Sequence, residues 1–272
     1  MLDAHLDSTG PGEDRVKPLI EQARRLLDGS GGHGDVAALL AGLEALPPRD
    51  LVRFDGQSRS CVSGLSSKAI AQLRWPFLRG GRKTLWGVLG LVSADGRERE
   101  RAVKAAELSP LTARLLAVRS VDWVAEVRAA ALARLRECPV ALLIEALPLA
   151  DQIAVERMRG EELHTLLDAR LSEDDLRAAA RARDRRSRRA AWRRLMSRGL
   201  PPFEELRDVA AADEDPVVRA VAASALDDLS SNQRRRLAHM LVVDPIGSVA
   251  TPALAALVQL DGAPAIEQAL SG

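Results

Sequence analysis

Residues 213-DEDPVVRAVAASALDDL-229 hold an aspartate pair, a proline, a Val-Arg step and then alanines at helical spacing. Asp215 suits an N-cap, and Pro216 suits the first helical position, where a missing N–H costs nothing. Val218, Val221, Ala222, Ala225 and Leu229 then share one face. A buried stripe this rich in small residues lets a second helix approach closely.

The pattern recurs. With Arg219 as anchor, equivalent arginines stand at Arg99, Arg128, Arg157 and Arg188, and Ser248 takes the next slot, at steps of 29, 29, 31, 31 and 29 residues. Three positions after each anchor come Ala102, Ala131, Gly160, Ala191, Ala222 and Thr251, all small. Seven after it come Ala106, Leu135, His164, Leu195, Leu226 and Ala255. An aspartate precedes every anchor, six residues ahead at Asp122, Asp151 and Asp213, or four ahead at Asp95, Asp184, Asp215 and Asp244. Before these stretches lie the candidate first helices, in 109-SPLTARLLAVR-119, 139-PVALLIEAL-147, 172-SEDDLRAAARAR-183 and 202-PFEELRDVAAA-212. A helical pair of this size cannot hide its own apolar stripe, so neighbouring pairs must cover it.

Composition agrees. Of 272 residues 47% are hydrophobic but only 3% aromatic, with no Tyr, so Leu, Ala and Val must fill the core. No run alternates with strand period, and the class is all-α. Upstream, helices are expected over 15–27, over 36–46 with Asp35 as cap, and over Ser66–Trp75, with 28–35 as a Gly-rich linker and 55–64 as a loop. The organisation read from this is a loose segment over 1–14, divergent capping helices over 15–80 and repeats over 81–272.

The aspartate followed after six residues by Val-Arg, with alanine from the third place onward, resembles the HEAT repeat, best at Asp122 with Val127-Arg128 and at Asp213 with Val218-Arg219. The resemblance implies an α-α superhelix, a solenoid of stacked antiparallel helical pairs. It also implies that Asp122, Arg128, Asp213 and Arg219 belong to a structural ladder between adjacent repeats and are not catalytic. Such a pattern carries an architecture and almost nothing about a reaction.

The net charge is +1, and of 39 Lys and Arg only Lys17, Lys68, Lys83 and Lys104 are lysines. An arginine bias has two sequence-level explanations: codon composition, or recognition of phosphate or carboxylate by the guanidinium fork. The bias is densest in 177-RAAARARDRRSRRAAWRRLMSR-198. On a helix from Arg185, the side chains of Arg185, Arg189 and Arg193 form a ridge, with Arg186 beside it. That ridge is either a solvated face paired with Glu173, Asp174 and Asp175 or a surface for an acidic protein partner or nucleic acid. Trp123 and Trp192 are the aromatics placed to serve such a surface, or else they pack between repeats.

No catalytic pattern stands out. His5, His33, His164 and His239 are scattered, 79-RGGRK-83 lacks phosphate-loop spacing, and Cys61 and Cys138 form no metal or redox motif. Catalytic residues, metal and cofactor are expected to be none, with no small-molecule substrate. The N-terminus lacks a leader pattern and no span is expected, so the cytoplasm is the default address. The function expected is a non-enzymatic scaffold that binds a protein partner through a concave face. The alternative is a nucleic-acid-binding HEAT-like protein, in its most specific form an alkylpurine-DNA-glycosylase-like repair enzyme using Trp123 with Asp122 or Glu126. HEAT-like bilin lyases are a third class that no residue here singles out.

Overall fold

A computed structural model of the chain describes residues 14–28, 32–62, 81–156, 160–199 and 201–262. The segment 1–13, the helix expected over Ser66–Trp75, Trp75 itself and the Arg157 anchor lie outside the described residues. Among the described residues there are fifteen α-helices, one short 3-10 turn at Leu226–Asp228 and no strand. The chain divides into two units, Met1–Arg170 and Leu171–Gly272. This division falls inside the stretch that the sequence pattern treats as one run of repeats.

The first unit holds α1 (Val16–Leu27), α2 (His33–Ala45), α3 (Pro48–Val62), α4 (Gly81–Leu91), α5 (Gly96–Ala105), α6 (Pro110–Arg119), α7 (Ala125–Glu137), α8 (Val140–Glu156) and α9 (Glu161–Arg170). From α4 onward the helices pair in order, α4 with α5, α6 with α7 and α8 with α9. First helices neighbour first helices (α4, α6, α8), and second helices neighbour second helices (α5, α7, α9). α6 sits innermost: its residues Leu111 to Arg119 are buried apart from Arg114. Ser109 starts it by accepting the Thr112 N–H, and Thr112 returns a bond to the Ser109 N–H.

The second unit holds α10 (Glu173–Ala180), α11 (Arg185–Arg198), α12 (Phe203–Ala212), α13 (Pro216–Ser224), α14 (Ser231–Leu241) and α15 (Gly247–Asp261). Again they pair in order, and the second helices α11, α13 and α15 neighbour one another in sequence. Asp184 and Asp215 cap α11 and α13 by accepting the N–H of Ser187 and Val217.

Several expectations are corrected. Residues 55–62 are helix, the end of α3, not loop: Asp55 is fully buried, and Arg59 and Arg119 both pair with it. Tertiary ion pairing overrides the weak helix propensity of its Gly and Ser. Asp35 lies inside the first turn of α2, where its carboxylate accepts the Gly32 N–H at 2.8 Å instead of capping from outside. Helix α8 runs through Pro148 to Glu156, so Asp151 lies in mid-helix and opens nothing. Burial of Leu147, Leu149, Ala150 and Ile153 around the proline holds that helix together. Helix α13 stops at Ser224, short of Leu229. In α15 the buried residues are Val249, Ala253, Ala256 and Leu257, while Thr251 and Ala255 are exposed. The anchor slot there is therefore Ala250, two residues beyond Ser248.

The close approach foreseen for small residues is measurable between α4 and α5. A Cβ added at Gly90 would stand 2.8 Å from the Ala102 Cβ, whereas one added at Gly87 would meet nothing within 4 Å. Both glycines lie inside α4, where alanine is favoured by roughly 0.5–1 kcal/mol. Gly87→Ala is expected to raise stability by that increment, read from urea denaturation. Gly90→Ala should lower stability by about 1–3 kcal/mol, the usual cost of overpacking. Equal shifts for the two variants in equilibrium denaturation would contradict the packing described.

Candidate functional site: an arginine ladder and an arginine-rich turn

Each described anchor arginine reaches back to the turn that precedes its own helix. Nη1 of Arg99 donates to the carbonyl of Ser93 at 2.8 Å, Arg128 to Asp122 at 2.8 Å, Arg188 to Ala182 at 3.1 Å and Arg219 to Asp213 at 2.8 Å. In all four the acceptor lies six residues earlier. Three of the same arginines also reach forward to the next pair. Arg99 grips Asp122 with two bonds of 2.9 Å, Arg219 grips Asp244 at 2.5 and 3.1 Å, and Arg188 touches Asp213 at 3.5 Å. A parallel bidentate pair joins Arg189 to Asp215 at 2.7 and 2.9 Å. Bidentate geometry fixes register as well as adding energy.

A second arginine series, absent from the sequence reading, works at the other ends of the second helices. Arg134 of α7 donates to the Ala106 carbonyl at the end of α5 (2.7 Å), and Arg170 of α9 to the Cys138 carbonyl at the end of α7 (2.9 Å). In the second unit Arg198 donates to the Leu171 carbonyl at 2.7 Å. These carbonyls are among the orphaned acceptors that every helix end leaves. The only sequence signal is a basic residue late in α7, α9 and α11, which the general preference for cations at helix C-termini accounts for equally well.

The first unit also contains a buried ion cluster. Asp122 accepts from Arg99, from Arg119 at 2.8 Å and from the Val124 N–H at 3.0 Å, with Arg59 at 3.8 Å. Arg99, Arg119, Asp55 and Asp122 have fully buried side chains. Burial alone would raise the Asp122 carboxyl, but the hydrogen bonds from Arg99 and Val124 and the charge of Arg119 hold it below the usual carboxylate range. Burial lowers the Arg119 guanidinium against the raising effect of Asp55 and Asp122. Asp244 is lowered chiefly by its bond from Arg219. Asp215 is lowered by Arg189 and the Val217 N–H, against burial as the largest opposing cause.

The ridge expected on α11 is broken in its middle. Arg189 is half-buried and spent on Asp215, and Arg193 is half-buried and not free. Trp192 is 6% exposed and packs inward, so it offers no stacking face at the surface. Trp123 is the opposite, 68% exposed, with the Arg99 guanidinium carbon 5.7 Å from its ring centroid. Asp122 is 1% exposed and committed to arginines, so it is no free carboxylate for acid–base chemistry. Arg128 serves its own turn through the carbonyls of Asp122 and Trp123.

Four arginines remain around the turn between α10 and α11. Arg181, Arg183 and Arg185 are exposed and Arg186 is half-buried, and none of the four makes an ion pair among the described residues. The single acid between them, Asp184, is engaged as the cap of α11. Beside this turn lies an open cleft of about 490 Å³ bounded by α10, α11 and α12. Its floor includes Ala180, Trp192, Leu195 and Val209. Among the described residues no group of three or more His, Cys, Asp and Glu is placed to hold a metal ion, and no helix is long and apolar enough to cross a membrane.

Comparison with protein-family models, with curated proteins and with solved structures finds no match to the chain.

Removing the buried carboxylate charge tests the cluster. Asp122→Asn leaves Arg99 without its carboxylate and Arg119 with Asp55 alone, and is expected to cost about 3–5 kcal/mol, read from urea denaturation. Acid should act in the same direction. Asp122, Asp215 and Asp244 have folded pKa values below their unfolded values near 3.9. Their contribution is complete above the unfolded pKa and is lost as pH falls through the folded one. Stability should therefore fall steeply below about pH 4, and less steeply in Asp244→Asn. A flat profile from pH 6 to 3 would contradict the carboxylate pairing.

Proposed function

We propose that the chain is a HEAT-like helical-repeat scaffold, a non-enzymatic module that binds an acidic protein partner in the cytoplasm. The recurring hairpins with like-to-like neighbours support the repeat reading within each unit. So do the anchor arginines, each reaching back to its own turn and three of them forward to the next aspartate. The observation that carries the binding role is the arginine turn. Most arginines described above are consumed by backbone carbonyls and carboxylates, yet within the six residues 181–186 Arg181, Arg183 and Arg185 are exposed, Arg186 is half-buried, and none makes an ion pair among the described residues. Unpaired like charges held this close raise the local potential and cost stability, and an anionic surface relieves both. The turn is held between two helices, with Asp184 capping the second, so the backbone that carries these arginines is anchored on both sides.

Nucleic-acid binding remains the second reading, because the same four cations attract phosphates. Its glycosylase form loses Asp122, which is buried in ion pairs, and keeps the exposed Trp123 and Glu126.

The two are separated by titrating the full chain with fluorescent poly-glutamate and with a DNA duplex of equal charge. Poly-glutamate is expected to bind at low salt, to weaken as salt rises, and to bind at least tenfold more weakly to R181E/R183E/R185E/R186E. A charge-matched variant with glutamates at Lys17, Arg49, Arg97 and Arg136 should retain binding within twofold. Equal losses in both variants would reduce the effect to net charge and end the proposal. Tighter binding of the duplex would transfer the site to nucleic acid.

A further inference from the structure

The cleft beside the arginine turn has two walls of opposite sign. Arg177, Arg181, Arg183 and Arg188 stand on the side of α10, its following turn and α11. Glu205, Asp208, Asp213 and Glu214 stand on the side of α12 and the turn after it. Formal charges cancel, four against four, so the cleft as a whole is not a polyanion site. Two contacts tie the walls together: Arg177 to Glu205 at 3.0 Å and Arg188 to Asp213 at 3.5 Å. The remaining members are split. Arg181 and Arg183 make no ion pair on the basic wall, and neither does Glu214 on the acidic wall, while Asp208 is shared with Arg207 at 2.8 Å. Between the walls the floor is apolar, with Trp192 at 6% exposure and Leu195 at 5%.

We infer that this cleft binds a short linear segment of a partner protein that carries acidic and basic side chains on either side of an apolar residue. The inference rests on the scaffold reading above and narrows its partner. An acidic side chain answers Arg181 and Arg183, a basic one answers Glu214 and Asp208, and the apolar residue meets the accessible apolar lining, the half-buried Ala182 and the exposed Ala212. A nucleic-acid strand satisfies the first wall but is repelled by the second, and a purely acidic segment has the same fault. The cleft volume of about 490 Å³ is on the scale of compact ligand sites, roughly 300–1,000 Å³, so only a few residues enter. Complementary potential on both walls also sets the direction in which the segment lies.

The test uses the full chain and an array of hexapeptides with two acidic, two apolar and two basic residues in every order, alongside arrays of one sign only. The strongest mixed-sign peptide is then measured by fluorescence anisotropy. The expected result is that mixed-sign peptides bind at least tenfold more tightly than acidic peptides of the same apolar content. Neutralising either its acids or its bases should cost at least fivefold. R181E/R183E should lose binding, and a peptide with the signs exchanged should regain it on an R181E/R183E/E214K protein, a rescue that a structural role cannot give. All three residues are exposed, so the substitutions leave the helices intact, and circular dichroism checks this. Preference for acidic peptides with no effect of Glu214→Lys overturns the inference while leaving the scaffold reading in place. Absence of binding to any peptide and to poly-glutamate overturns both.

Discussion

An arginine that must be satisfied on two sides governs this chain. Its Nη1 closes the turn behind it, and its remaining N–H groups reach a carboxylate on the next helical pair. Lysine, one charged point on a single nitrogen, lacks the planar fork that makes the bidentate contact and the backward one at the same time. That gives the arginine bias a structural cause distinct from codon composition and from ligand recognition. It also explains why an aspartate precedes α7, α13 and α15: the same residue takes an arginine and a free N–H group at the helix start, as Asp122, Asp215 and Asp244 do.

The small-residue seam and the arginine relay depend on each other. Alanine and glycine bring α4 and α5 near enough that a single added carbon at Gly90 collides with Ala102. Arg134 and Arg170 close the far ends of successive second helices, so register is held at both ends of a helix and the seam has no freedom to slide. Where the relay turns fully inward, at Arg99, Arg119, Asp55 and Asp122, its net gain in stability is small, because desolvating four charges offsets most of their attraction. What such a cluster secures is one arrangement over its competitors: any shift of register would strand a buried charge.

This economy shapes the surface. Arginine placed for structure disappears from solvent, as at Arg189, and the positions left outside become conspicuous by contrast. The turn between α10 and α11 carries such positions because Asp184 is occupied as a cap and no neighbouring acid reaches Arg181, Arg183, Arg185 or Arg186. The nearby acids Glu173 and Asp174 contact Arg177 instead.

The sequence by itself determined the helical class, the start of most second-half helices and the repeating slots at Arg99, Arg128, Arg188 and Arg219. Caps, prolines and periodic alanines act within a few residues, so they can be read without knowing what lies across the core. At α6, Ser109 and Pro110 set the start, and at α13, Asp215 and Pro216 did the same. Tertiary structure alone decided which arginines face water, because that depends on carboxylates and carbonyls distant in sequence, from 23 residues away for Arg99 and Asp122 to 64 for Arg119 and Asp55. It also made a helix of residues 55–62, where Arg119 supplies the charge that Asp55 needs, and it turned Trp192 inward and Trp123 outward. Local pattern fixes what a segment can form. Burial and ion pairing between distant segments settle which of its side chains remain available.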